Sequence, residues 1–394
     1  MRTSSSLLPR VLTRTALLRL GLGWGSFLAV LLAAPLLAAP LPAWALWMVL
    51  TGIVVVIVVC AFGVVTEAEH LAQRLGDPYG TLVLTLSIVL IEVILIAAVM
   101  LGPGEHATIA RDSVMAVAMI ILNLVIGAAL LIAGLRHPRA RANRTGVSTY
   151  IAVLVVLLAV AFALPGLIGA GGGYTPAQSI PLVVLTLVFY AFFLWRQTGA
   201  QRGDFVEEKP PAWEQGLTCA QAGTAPESGG GATHAPFGET WARHRPELLL
   251  RTALLIATVL PIVLLSHDMA TLLDDGLGRA GAPVALSGVL IAMIVFLPET
   301  ITTIRAAHGG EIQRVSNLCH GALVSTVGLT IPAVLAIGLL TGQPVVLAER
   351  PVNLVLLGVT LLLTIATFSG RRVNAVHGAA HLLVFVLYGM TVFA

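Results

Sequence analysis

Apolar residues in this chain run on for long unbroken stretches, unlike the alternating or heptad-spaced stripes of a water-soluble core. Residues 20–66 and 145–195 contain no Asp, Glu, Lys or Arg at all. At about 20 residues per membrane-crossing helix, each stretch is long enough for two crossings. Charge-poor runs bounded by charged or Gly/Pro segments predict helices near 24–39, 43–65, 79–101, 114–134, 148–169, 178–196, 247–266, 283–307, 318–341, 351–369 and 374–394. The runs are rich in Leu, Ala and Val and do not alternate polar with apolar, so they read as helices and not as barrel strands.

Composition turns this pattern into a class. Of 394 residues, 57% are hydrophobic and 10% charged, and the mean hydropathy is +0.95, values from which no water-soluble surface can be built. The chain is expected to be an all-α polytopic membrane protein with about eleven transmembrane helices. Cys60, Cys219 and Cys319 sit in unrelated segments, which indicates neither a disulfide framework nor a cysteine metal site.

Charge then sets the orientation. With the N-terminus in the cytoplasm, all of the 22 Lys and Arg except Arg111, Arg279 and Arg350 fall on the cytoplasmic side, as the positive-inside rule requires of eleven helices. The formal net charge of +3 therefore reflects topology, and no nucleic-acid partner is expected. A cleaved signal peptide ending in the small residues near Ala45 is the alternative for the first segment. Its long charged region and the ten helices it would leave, starting outside, argue against it. The expected organisation is a basic tail at 1–23, an extra helix at 24–42, a five-helix repeat at 43–196, a flexible cytoplasmic linker at 197–246, and a second five-helix repeat at 247–394. The linker carries Glu207, Glu208, Pro210, Pro211 and a Gly/Ala/Ser-rich stretch. Because five is odd, the two repeats must lie upside down relative to each other.

Against this background two acids stand out. Glu92 falls deep in the third helix and Glu299 deep in the eighth. An ionisable group at mid-bilayer costs roughly 2.5–3.5 kcal/mol on insertion scales, so it is retained where it meets a cavity, a partner or an ion; a neutral Glu bonded to a neighbouring helix is the plainer alternative. Each has a small residue, Gly80 or Ser287, twelve positions earlier. Each is followed by a helix with polar atoms: Asn123 in one case, Ser325, Thr326 and Thr330 in the other. Inverted repeats bring the two acids to similar depth from opposite sides, the layout of secondary transporters. Two carboxylates facing one cavity form a hard oxygen site suited to Ca2+ or Na+. Helical spacing offers Thr85, Thr302 and Thr303 as helpers, although membrane threonines commonly bond their own helix backbone. Pro298 frees carbonyls one turn back.

At these residues the chain resembles the ChaA-type bacterial calcium (sodium)/proton antiporters of the calcium/cation antiporter superfamily. The resemblance covers nearly all of it. It is carried by Asp77-Pro-Tyr-Gly-Thr-Leu-Val-Leu-Thr-Leu-Ser with Glu92, Ala110-Arg-Asp-Ser113, Ala282-Pro-Val-Ala285, Pro298-Glu299, Gln313-Arg314 with Asn317-Leu318, and Gly378-Ala-Ala-His-Leu382. It implies an inverted five-plus-five fold, cation efflux coupled to proton entry, and repeat glutamates Glu92 and Glu299 that bind ion or proton. Asn123 and Ser325 match the polar positions of the following helices, and Thr66-Glu67 matches a Thr-Glu that closes the preceding helix. Ile88-Val89 stand where many members place Gly-Asn, which removes an amide ligand.

The expected function is export of a cation, Ca2+ first with Na+ or K+ as alternatives, in exchange for protons by alternating access in the inner membrane. No cofactor is expected beyond the transported ions. The expected partners are cation, protons and membrane lipids, with the oligomeric state left open. A cation channel is the alternative, followed by an intramembrane metal-dependent enzyme, for which His377 and His381 offer zinc-like spacing without a third ligand. His70 and His320 are either pH sensors or solvated loop or helix-end residues. Glu67, Glu69 and Asp77 are either a cytoplasmic cation antechamber or solvated helix-end charge, and Arg111 with Asp112 reads as a local pair.

Overall fold

The computed structural model describes residues 11–37, 41–75, 86, 89, 92, 93, 96, 97, 100, 107–138, 140–206, 237–283, 285–370 and 372–393. Among them the chain is helical, as the continuous apolar runs predict. The helices are α1 Arg14–Leu37, α2 Ala43–Leu75, α3 (helical at every described position in 86–100), α4 Ile109–Arg136, α5 Arg144–Ile168 and α6 Pro176–Thr198. After residues 207–236 come α7 Phe237–Arg279 and α8 in two halves, Ala285–Val295 and Leu297–Gly309. They are followed by α9 Ile312–Thr341, α10 Pro351–Ser369 and α11 Ala375–Val392. Nine described helices are long and apolar enough to cross a membrane, and the bent pair in α8 makes ten. With α3 this is the eleven-helix fold of two inverted five-helix repeats, α2–α6 and α7–α11, preceded by α1.

The helices stop where local chemistry dictates. Asn143 Oδ1 accepts from the Thr145 and Gly146 N–H groups at the start of α5, satisfying donors that have no partner inside the helix. Pro176 opens α6, where a missing N–H costs nothing. Gly310 and Gly342 close α8 and α9 at φ 79° and 70°, a left-handed conformation that only glycine enters cheaply. Several helices run past their apolar stretch. α2 continues to Leu75, α7 starts at Phe237, and α9 starts at Ile312, because amphipathic turns outside the bilayer can still pack on neighbouring helices.

Loop contacts sort the ends into two faces. Val346 N–H bonds Ala107 O at 2.8 Å and Leu347 N–H bonds Gly172 O at 2.9 Å on one face. Asn143 N–H bonds Gln313 Oε1 at 2.7 Å, Asn317 Nδ2 bonds Phe205 O at 2.7 Å, and Val373 N–H bonds Ala140 O at 3.1 Å on the other. That second face carries Arg136, Arg141, Arg144, Arg202, Arg314 and Arg372.

Two apolar cores lie side by side. The larger joins α3 to α6 with α8 to α11 around Met119, Leu130, Tyr150 and Phe162. The smaller joins α2 to α7 around Leu46, Ile57, Leu265 and Met269. In lipid, packing depends on close approach more than on hydrophobic exclusion, and α4 against α11 shows it. A Cβ on Gly378 would collide with the backbone of Leu131, and one on Gly134 with that of Ala375. The glycines thus set the separation of these helices. The most apolar window of α4 is 78% buried and that of α1 only 11%, so α4 is central and α1 a peripheral, lipid-facing addition.

Candidate functional site: a buried two-carboxylate centre

α3 presents Val89, Glu92, Ile96 and Met100 at 4% exposure or less. Their spacing of three and four puts them on one inward stripe, and Glu92 is its one acid. Glu92 Oε2 accepts a 2.6 Å hydrogen bond from Thr326 Oγ1 of α9, and Oε1 has no hydrogen-bond partner.

Glu299 reaches the interior by a different route. α8 breaks at Phe296 (φ −86°, ψ 3°) and bends by 59°, so Glu299 lies in the first turn of the second half. Pro298 has no N–H, which leaves the Ile294 carbonyl without its usual helical donor, and the end of the first half adds carbonyls of its own. Both carboxylate oxygens of Glu299 are buried without a hydrogen-bond partner among the described residues. Both acids lie against α9: Glu92 meets Thr326, and Thr303, one turn after Glu299, meets Cys319, two turns before Thr326 on the same face. Thr330, one turn beyond Thr326 on α9, also has a buried unpartnered hydroxyl. Three carboxylate oxygens and one hydroxyl are therefore desolvated and unpaired, an expensive arrangement unless a cation or protons occupy it.

The other residues singled out in the sequence fall at some distance from this pair or beside it. Thr303, four residues after Glu299, is buried with Oγ1 3.8 Å from Cys319 Sγ, and Thr302 is half-buried. Ser325 Oγ accepts from the Tyr190 hydroxyl of α6 at 2.9 Å. It is Thr326, the next residue on α9, that reaches Glu92. Asn123 is fully buried in a π-helical turn of α4, Ile120–Val125. Its Nδ2 donates to Thr360 Oγ1 at 2.9 Å and its Oδ1 lies 3.3 Å from His381 Nδ1. Thr85 and Asp77 lie outside the described residues.

Glu67 is buried on α2, where Arg251 Nη1 of α7 reaches its Oε2 at 2.9 Å; Arg251 Nε bonds Glu247 at 3.2 Å. A buried triad, not an open cation antechamber, thus joins the first helices of the two repeats. His320 departs from its reading as a solvated residue. Because α9 begins six residues before the predicted 318, His320 is two turns inside the helix and fully buried, with Nδ1 2.9 Å from Ser316 Oγ. Arg111 and Asp112 do pair, at 2.8 Å, and Arg111 also lies 3.8 Å from Glu349. Glu349 belongs to the loop before α10, where it is buried with its carboxyl held above the ordinary glutamate range by desolvation. Bonds from Arg350 N–H and Asn353, and the Arg111 charge, oppose that shift. Thr326, Thr330 and Glu349 were not singled out as site residues. For Thr326 and Thr330 the available signal was their spacing of four on one apolar helix.

Known proteins share this sequence pattern and fold. The family model described as sodium/calcium exchanger protein matches residues 44–199 and 250–394. The sodium-potassium/proton antiporter ChaA of Escherichia coli (strain K12) is 31% identical over 334 residues, covering 85% of this chain and 86% of that protein. The putative ionic transporter y4hA of Sinorhizobium fredii (strain NBRC 101917 / NGR234) is 33% identical over 330 residues, 83% of each. Native YfkE superposes with a TM-score of 0.65 at 15% identity, over 94% of this chain and 98% of that one, a likeness of fold.

Proposed function

The chain belongs to the sodium/calcium exchanger protein family, and from that premise we propose that it exports Ca2+ in exchange for protons through a midplane site built on Glu92 and Glu299. As a member it is a multi-pass membrane antiporter of cations and not an enzyme, which sets aside both the channel and the enzyme alternatives.

The observation that carries the reading is the set of unpaired buried oxygens on Glu92, Glu299 and Thr330. A carboxylate so enclosed takes a proton or a cation and does not hold both well. Competition for the same oxygens then couples the two fluxes without further machinery. Carboxylates, hydroxyls and the carbonyls freed at the α8 break are hard oxygen donors, the set that Ca2+ takes. One Ca2+ or two protons each neutralise the pair, so either cargo can cross the membrane without a net buried charge.

Alternating access is supported by a core built mainly from α2 and α7, which Ile291 of α8 and Leu318 of α9 join. The triad Glu67–Arg251–Glu247 ties these helices together, so they move as one body against α3–α6 and α8–α11 and open the site to either face in turn. The arginine-rich face is cytoplasmic. Protons enter from the opposite face and the cation leaves by it. Na+ or K+ is the second reading. It is favoured by Ile88-Val89, which offer no side-chain ligand, and by the similarity to a sodium-potassium/proton antiporter.

The test is purified protein in liposomes loaded with a pH dye, given a proton gradient and then Ca2+, Na+ or K+ separately. Cation-dependent proton movement names the cargo. Cation flux with no proton movement defeats the proposal.

A further inference from the structure

The two third helices treat their polar residues differently. Ser325 lies 13 residues into α9 and turns toward α6, and Thr326, one residue on, turns to Glu92. Asn123 lies 14 residues into α4, the depth of Thr326, yet it turns toward α10 and α11, as Ser325 turns toward the corresponding α6. The reason is the π-helical turn Ile120–Val125. Such a turn holds one extra residue, which rotates the remainder of the helix by about 100° relative to an unbroken α-helix. Glu299 meanwhile has no hydrogen-bond partner among the described residues, although the pseudo-equivalent Glu92 has Thr326.

The bonds around Asn123 orient its amide, and His381 also bonds the Leu122 carbonyl beside it. Thr360 Oγ1 donates to Leu356 O at 2.8 Å, so it accepts from Asn123 Nδ2 at 2.9 Å. Asn123 Oδ1 must then face His381 Nδ1, 3.3 Å away, and that nitrogen carries the hydrogen. The bare Nε2 of His381 accepts from Thr367 Oγ1 at 3.3 Å. All four side chains are buried at 1% exposure or less, so each lost bond strands a partner. The titratable groups facing His381 are His320 on α9 and His377 on its own helix.

We infer that His381 and Thr360 are positioning residues that park Asn123 off Glu299, and that the cation competes with this latch by drawing Asn123 to Glu299 as the π turn tightens. The inference rests on Glu92 and Glu299 being the cation site. Parking lowers the fraction of protein competent to bind, so it raises the half-saturating cation concentration by that factor.

Full-length protein in liposomes tests this with whichever of Ca2+, Na+ and K+ drives proton movement in the wild type. Thr360→Val and His381→Leu should each lower the half-saturating concentration about five-fold, the worth of one hydrogen bond. Both should also lower the maximal rate, because release slows. His381→Asn, which keeps an N–H donor at the Nδ1 position, should restore wild-type values, and in an Asn123→Leu background Thr360→Val should have no effect. The pH profile should keep its shape, since His381 acts as a fixed donor. A half-saturating concentration that rises or stays put in Thr360→Val overturns the inference, whether or not His381→Leu folds. A changed pH profile in His381→Leu overturns it in favour of a proton carrier. Absence of cation-driven proton movement in the wild type defeats the antiport reading instead, and the latch with it.

Discussion

Thr326 Oγ1 donates to Glu92 Oε2 at 2.6 Å, joining the second helix of one repeat to the third helix of the other. The bond fixes which carboxylate oxygen is left open, and it does so across the repeat boundary. Thr326→Val should raise the half-saturating cation concentration about ten-fold, the worth of a hydrogen bond to a charged group. Thr326→Ser should stay near wild type. Cation-dependent proton flux in liposomes measures both.

Glu92→Gln and Glu299→Gln should each reduce exchange to background while leaving the protein inserted and monodisperse in detergent. Gln keeps the shape but neither titrates nor offers a full negative charge. Full activity in either variant would remove that residue from the mechanism.

The triad Glu67–Arg251–Glu247 is buried on all three side chains. Arg251→Met should therefore destabilise by about 3–5 kcal/mol, because it takes the cation from the buried Glu67 carboxylate and leaves two like charges side by side. Adding Glu67→Gln and Glu247→Gln to Arg251→Met should recover much of the loss. Thermal unfolding in detergent compares the variants, and an unchanged midpoint in the single variant would mean the triad contributes nothing.

Glu349 sits outside the spans, and burial holds its carboxyl above the ordinary value of 4.5. The folded state keeps its proton to higher pH than the unfolded chain, so this contribution is fully present below the unfolded value and is lost as pH rises through the folded one. As pH rises above the ordinary glutamate value, the unfolding midpoint should therefore fall more in wild type than in Glu349→Gln. Gln retains an oxygen for the Arg350 and Asn353 donors, so the variant should not be less stable near neutral pH.

What the sequence determined by itself is what the solvent determines. A chain this apolar must satisfy every backbone group inside its own helices, so helix number, class and membrane residence follow from the runs alone. The isolation of Glu92 and Glu299 within those runs marks the candidate centre for the same reason, since an acid in an apolar helix calls for a cavity, a partner or an ion wherever that helix packs. Which neighbours meet them was decided by tertiary packing. One residue's difference in helical phase sends Thr326 to Glu92 and Ser325 to Tyr190, and a π turn of six residues sends Asn123 to His381. Phase shifts of about 100° leave no mark on an apolar run. The burial of His320 and the pairing of Glu67 with Arg251 depended likewise on α9 and α2 running on past their apolar stretches.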